Sequence, residues 1–179
     1  LLSLVGPGGI GKSRLAQQVA AQSLTTFADG VYFVSLAQVP TVASLPAAIA
    51  ETLGIVFAAN QKSPAEQLFE MIGARQLLLV LDNFEHLLDA VGIVADLLQG
   101  APGLQIIATS RSRLNLHGEQ LYHVQPLTFA NAAPAQVADT DAVRLFVQCA
   151  KQIHPEFNVN PTNLPAVLRI CQLVDGMPL

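Results

Sequence analysis

Charge is scarce in this 179-residue chain. Asp, Glu, Lys and Arg make up 12% of it, against about 25% in a typical soluble domain. What charge there is sums to -4, with an isoelectric point near 5.4. The domain therefore offers no general basic footprint for DNA or RNA, and any nucleic-acid binding by a parent protein is expected elsewhere. Cysteine is nearly absent. Cys149 and Cys171 are too few and too far apart for a disulfide framework or a zinc site. Each has apolar neighbours, so burial as a small hydrophobe is expected for both, in keeping with a reducing cytosol. The longest purely aliphatic run, residues 77–81, is far too short to span a bilayer. No basic segment followed by an apolar stretch and a cleavage site opens the chain, so the expected location is cytoplasmic, with no membrane partner. His86, His117, His123 and His154 show no metal-ligand spacing, and neither repeats nor low-complexity tracts occur.

Apolar residues, in contrast, reach 51%. A chain so composed can bury a large core. Its length suits one domain with a small C-terminal appendage. The shortage of charge also hints that an apolar face meets another domain. Because the first residue already falls within a core strand, the sequence reads as a piece of a longer protein.

The organising stretch is Gly6-Pro7-Gly8-Gly9-Ile10-Gly11-Lys12-Ser13, which fits G-x-x-x-x-G-K-[ST], a phosphate-binding loop. Glycines at 8, 9 and 11 let the backbone approach a ligand without a Cβ in the way. Successive N–H groups can then form a concave anion nest. The helix beginning near Lys12 aims the positive end of its dipole at the same place. Lys12 supplies a charge for β- and γ-phosphates, and Ser13 a hydroxyl for Mg²⁺. An apolar run at residues 1–5 reads as a buried parallel strand before the loop. Helical spacing of Leu15, Val19 and Ala20 follows it. Strand, glycine loop, helix is the setting this motif requires.

Further along, residues 30–36 read as a second strand. Residues 41–53 read as an amphipathic helix stopped by Gly54. Ser63 and Pro64 open another helix as N-cap and first-turn proline. Residues 77–82, Leu-Leu-Leu-Val-Leu-Asp, imply a strand covered on both faces, with Asp82 at its C-terminal end. Ligands of open parallel sheets sit at that edge, and an Asp there can hold the water shell of Mg²⁺; capping the next helix is a second role open to it. Helices are expected at residues 86–99, 141–151 and 164–174, and strands at 104–111 and 119–124. Asp139 and Asp141 are expected to cap the helix after them. Alternating strands and helices predict an α/β fold with a parallel sheet and helices on both faces.

Six ordered stretches carry a family resemblance: residues 6–16, 77–87, 106–111, 118–119, 142–146 and 175–179. Together they resemble the nucleotide-binding domain of the STAND class of signal-transduction ATPases. Within it they are similar to the NB-ARC-like ATPases of bacterial multidomain transcription regulators. The resemblance implies a P-loop NTPase core at residues 1–127 with a five-stranded sheet ordered 5-1-4-3-2. Residues 128–179 would be a short helical extension, the start of a helical subdomain truncated before a winged-helix segment. It implies ATP/ADP and Mg²⁺ as ligands, the latter held by Ser13 and Asp82. Residues 6–13 and Arg14 would line the phosphates. Thr109 and Ser110 would form a polar sensor of the γ-phosphate, Arg111 would read it, and Pro178 would pack near adenine and ribose. Arg fits that task because its charge is permanent and its donors fork onto phosphate oxygens; a solvated helix-start residue is the other possibility for Arg111.

At Asn83 the sequence departs from the pattern, since many relatives carry a second acid there to position or activate water. An amide can orient water but cannot take its proton. Glu85 is the nearest carboxylate; on a helix starting near Asn83 it would face either the phosphates or solvent. Slow hydrolysis follows, which suits a switch, with neighbouring domains and self-association in the ATP state as its partners. A non-hydrolysing nucleotide-bound scaffold and a small-molecule phosphotransferase are the competing functions. The second lacks an arginine-bearing lid.

Overall fold

The computed structural model of the protein describes residues 1–59, 61–129 and 140–178. The apolar runs become five strands: β1 (Leu2–Val5), β2 (Val31–Ser35), β3 (Leu77–Asp82), β4 (Leu104–Ser110) and β5 (Gln120–His123). Every pairing is parallel, and the order β2-β3-β4-β1-β5 is the expected 5-1-4-3-2 read from the other edge. Parallel strands need crossovers; residues 111–119 link β4 to β5 without a helix, and helices supply the others. These are α1 (Lys12–Gln22), α2 (Leu45–Thr52), α3 (Pro64–Ile72) and α4 (Val91–Gly100).

Strand alternation sorts the helices. Leu77, Leu79, Leu81, Ile106 and Ala108 join Leu45 and Ile49 of α2, Leu68 and Ile72 of α3, and Val94 and Leu97 of α4 in one buried cluster. The intervening Leu78, Val80 and Ile107 are equally buried and face the other way, where α1 lies against β1 to β4. Both faces of the sheet are thus covered. The expected cap of α3 is a capping box: Ser63 Oγ accepts from the Glu66 N–H, while Glu66 Oε2 accepts from the Ser63 N–H.

Contacts divide the chain into two units, Leu1–Gly6 with Lys12–His123, and Pro7–Gly11 with Val124–Leu179. The second contains α5 (Asp141–Ile153) and α6 (Leu164–Leu173). Ala142, Val143, Val167 and Cys171 are buried between them, with Leu127, Phe129, Phe146 and Phe157 packed around. Phe146 and Phe157 meet edge to face, centroids 5.9 Å apart. The irregular stretch joining the helices is pinned by Asn160, whose Oδ1 accepts from the N–H groups of Thr162 and Asn163.

Three expectations are corrected. The helix expected at 86–99 is an α-helix only from Val91; before it run two 3₁₀ turns, Phe84–His86 and Leu88–Ala90. Phe84, Leu87, Leu88, Val91 and Val94 recur at spacings of three and four, which both helix types satisfy. Cys171 is buried but Cys149 is exposed: it lies two turns beyond Ala142 on the same face of α5, where it lines an apolar cavity instead of joining the buried seam. Asp141 is the first residue of α5, not its cap; Thr140 holds that position, and Asp141 accepts from Thr128 Oγ1 at 3.1 Å. Asp139 lies outside the described residues.

Candidate nucleotide-binding site

Strand parity builds the site in the first unit. Leu4 of β1 pairs with Thr109 of β4, and Leu81 of β3 pairs with Ala108, so Asp82 and Thr109 stand side by side at the C-terminal edge. Their side chains lie on the α1 face, as do Leu78, Val80 and Ile107. Thr109, 1% exposed, donates its hydroxyl to Asp82 Oδ1 at 2.7 Å. Thr109 Oγ1 in turn accepts the Asn83 N–H at 2.8 Å. One hydroxyl therefore orients the carboxylate and ties down the backbone that follows it.

That backbone turns sharply. Asn83 has φ +67°, a left-handed conformation that Asn tolerates better than most residues. The Phe84 side chain is then buried completely, which plants the 3₁₀ turn on the core. Glu85 is the next residue, and its Oε1 accepts from Arg111 Nε at 3.0 Å. His86 is exposed and bonds to the Val39 carbonyl through Nε2 at 3.1 Å. No α-helix starts at Asn83, so Glu85 owes its direction to the left-handed turn.

Lys12 opens α1 and is buried. Its Nζ donates to the Gly6 carbonyl at 2.8 Å, reaching from one end of the glycine loop to the other. Burial pushes its ammonium below the ordinary lysine range; the charges of Glu85 and Asp82 oppose that shift and Arg111 adds to it. Lys12 thus lies within the field of all three groups. Ser13 and Arg14 are exposed on the first turn of α1. Ser110 is fully buried, and its Oγ accepts from the Ser112 N–H.

Within the second unit, Gly9 and Gly11 have φ of +78° and +97°, values that favour glycine. A Cβ on Gly11 would stand 3.5 Å from Pro178 Cγ, so the loop and the last described residue are in contact distance. Pro7, Gly8 and Gly9 are exposed and Ile10 is buried. A separate apolar cavity of about 210 Å³ lies between α5 and α6. Among the described residues no three His, Cys, Asp or Glu side chains group as a metal cage. One aspartate and a helix-start hydroxyl suit Mg²⁺, which is commonly held by one or two carboxylates plus phosphates and water.

The Thr109 hydroxyl, a γ-phosphate sensor by the resemblance, is engaged in this structure by Asp82 and Asn83. Strand parity was the available signal. Thr109→Val removes a donor and an acceptor together and strands the Asn83 N–H. Unfolding free energy should fall by about 1–3 kcal/mol, with faster hydrogen exchange at the Asn83 amide as the local readout.

A parallel sheet with this strand order and a glycine loop after β1 defines a P-loop NTPase-like architecture. The chain belongs to the NB-ARC domain family, whose match covers residues 1–125. A Mycobacterium tuberculosis protein named as an HTH-type transcriptional regulator is 38% identical over the whole of this chain, which spans 19% of that relative. An uncharacterized protein of the same organism is 36% identical, again over the whole chain and 43% of its own length. The chain therefore spans less than half the length of these curated relatives. Among solved structures, a Signal Transduction ATPase with Numerous Domains from Pyrococcus horikoshii, which has a tetratricopeptide repeat sensor, aligns with a TM-score of 0.60. It covers 99% of this chain and 26% of its own, at 16% identity. The ORC2 protein of Aeropyrum pernix, solved as ADPNP-ADP complexes, aligns at 0.53 over 70% of this chain and 41% of its own, also at 16% identity. At such identities the two structures speak for the fold. No helix among the described residues is long and apolar enough to cross a membrane.

Proposed function

We propose that this chain is the ATP/ADP-binding switch of a larger cytoplasmic signalling ATPase or transcription regulator, with slow Mg²⁺-dependent hydrolysis. The observation that supports this best is geometric: Asp82 is held at the C-terminal sheet edge by the buried Thr109 hydroxyl, while the Lys12 ammonium at the start of α1 lies 2.8 Å from the Gly6 carbonyl that opens the glycine loop. Amides of residues 6–13 would take the phosphates, and Lys12 would exchange its Gly6 carbonyl for phosphate oxygens. Ser13 and Asp82 would hold Mg²⁺, which neutralises phosphate charge when bound. Thr109 keeps Asp82 oriented for that purpose. Asn83 and Glu85 would place the attacking water, Arg111 would sense the γ-phosphate, and Pro178 would pack against the nucleoside. Residues 128–179 would begin a helical subdomain. Neighbouring domains and self-association in the ATP state would carry the signal onward.

The test is to denature the purified full-length protein and identify what it releases. Stoichiometric ADP is the expected result for a resting switch; a protein that neither carries nor binds adenine nucleotide would overturn the assignment. A second reading, a scaffold that holds nucleotide without hydrolysis, draws support from Asn83. Tight binding of radiolabelled ATP with no phosphate release would favour it.

A further inference from the structure

The contact between Glu85 and Arg111 joins residues of two different loops at the sheet edge. Arg111 uses one donor, Nε, and its side chain is 69% exposed, while that of Glu85 is 20% exposed. The other carboxylate oxygen, Oε2, is buried with no hydrogen-bond partner. The left-handed Asn83 and the fully buried Phe84 set the backbone of Glu85. A single-donor contact lacks the geometry of a bidentate fork. Exposed pairs of this kind contribute little, so a multiply charged phosphate can draw the guanidinium away.

We propose that Glu85 is a positioning residue that competes with the terminal phosphate of a nucleoside triphosphate for Arg111, setting how strongly the site prefers triphosphate to diphosphate. This rests on the nucleotide-switch assignment and deepens it. With a diphosphate bound, nothing replaces Glu85 and Arg111 stays on it. A triphosphate must break the pair before it gains the arginine. Glu85 then acts through Arg111 and tunes discrimination, in addition to the water placement open to it once the arginine has left.

The experiment titrates the full-length protein, in Mg²⁺, with ADP and with the non-hydrolysable analogue ADPNP, for wild type, Glu85→Gln, Arg111→Ala and the double variant. Glu85→Ala repeats the test if the glutamine variant folds poorly. Loss of the competitor should raise ADPNP affinity about two- to fivefold, the worth of an exposed pair, and leave ADP affinity unchanged. The gain should vanish when Arg111 is already alanine. An equal shift for both nucleotides would mark a merely structural residue. A gain that persists without Arg111 would mean that Glu85 acts by its charge alone. Reduced turnover at unchanged ADPNP affinity would leave it with water placement alone. Each of these overturns the proposal while leaving nucleotide binding intact. Wild type that binds neither nucleotide would instead sink the switch assignment, and this inference with it.

Discussion

Replacing Lys12 with methionine should weaken Mg-ATP binding by the full-length protein about ten- to a hundredfold, measured by calorimetric titration. A hydrogen bond to a charged group is worth about 1.5–3 kcal/mol, and each 1.4 kcal/mol is about a factor of ten. Methionine keeps the length and apolar stem of the side chain, so the helix start it fills should remain packed. The same substitution should remove a pH dependence of stability. Burial lowers the pKa of Lys12 in the folded protein. Between that lowered value and the unfolded one near 10.5, the unfolded chain binds more protons than the folded one. Stability contributed by this group therefore rises with pH across that window and is constant below it. Denaturant unfolding of the nucleotide-free protein should show an alkaline gain in wild type that Lys12→Met lacks. If ATP affinity survives the substitution, the phosphates are not where the loop motif puts them.

How much of the fold and site is legible in the sequence depends on the range over which each feature is encoded. The glycine loop, Lys12 and Ser13 are contiguous and stereochemically constrained, so eight residues suffice to read them. Asp82 is legible because a carboxylate closing a fully buried strand is costly unless a cation or a hydrogen-bond donor meets it. The family resemblance supplied the strand order, which local pattern alone cannot give. Three features escaped. The left-handed turn at Asn83 leaves no trace in hydrophobic periodicity, and the 3₁₀ turns after it share their apolar spacing with an α-helix. The Glu85–Arg111 contact spans 26 residues and arises only because β3 and β4 are neighbours. The Thr109–Asp82 bond was within reach, since both residues have the same parity on adjacent strands. What was lacking was their register.

Gly176→Ala should be the most disruptive single-methyl change at the end of the second unit. Helix α6 closes in a Schellman arrangement: the Gly176 N–H bonds to the Cys171 carbonyl and the Asp175 N–H to that of Gln172, both at 3.0 Å. Asp175 is left-handed at φ +50°, and Gly176 follows at φ +67°. The Gly176 carbonyl in turn accepts the Leu127 N–H at 2.9 Å. A Cβ on Gly176 would lie 2.3 Å from the Leu127 carbonyl oxygen, a backbone atom that no rotamer change can move. Left-handed strain of about 1–2 kcal/mol and overpacking of about 1–3 kcal/mol together give a loss of roughly 2–5 kcal/mol. Gly54 is the control, with the same φ of +67° but nothing within 4 Å of its Cβ position, so Gly54→Ala should show the strain without the clash. Hydrogen exchange in the full-length protein separates the two. The Leu127 and Gly176 amides should lose protection strongly in Gly176→Ala, whereas Ile55, bonded to the Ala50 carbonyl, should lose it only modestly in Gly54→Ala. Equal losses would mean that the chain yields around the added methyl. Two residues on, Pro178 approaches the loop at Gly11, so a displaced Gly176 should also weaken nucleotide binding without touching a phosphate ligand. That would account for a glycine two places before the proline.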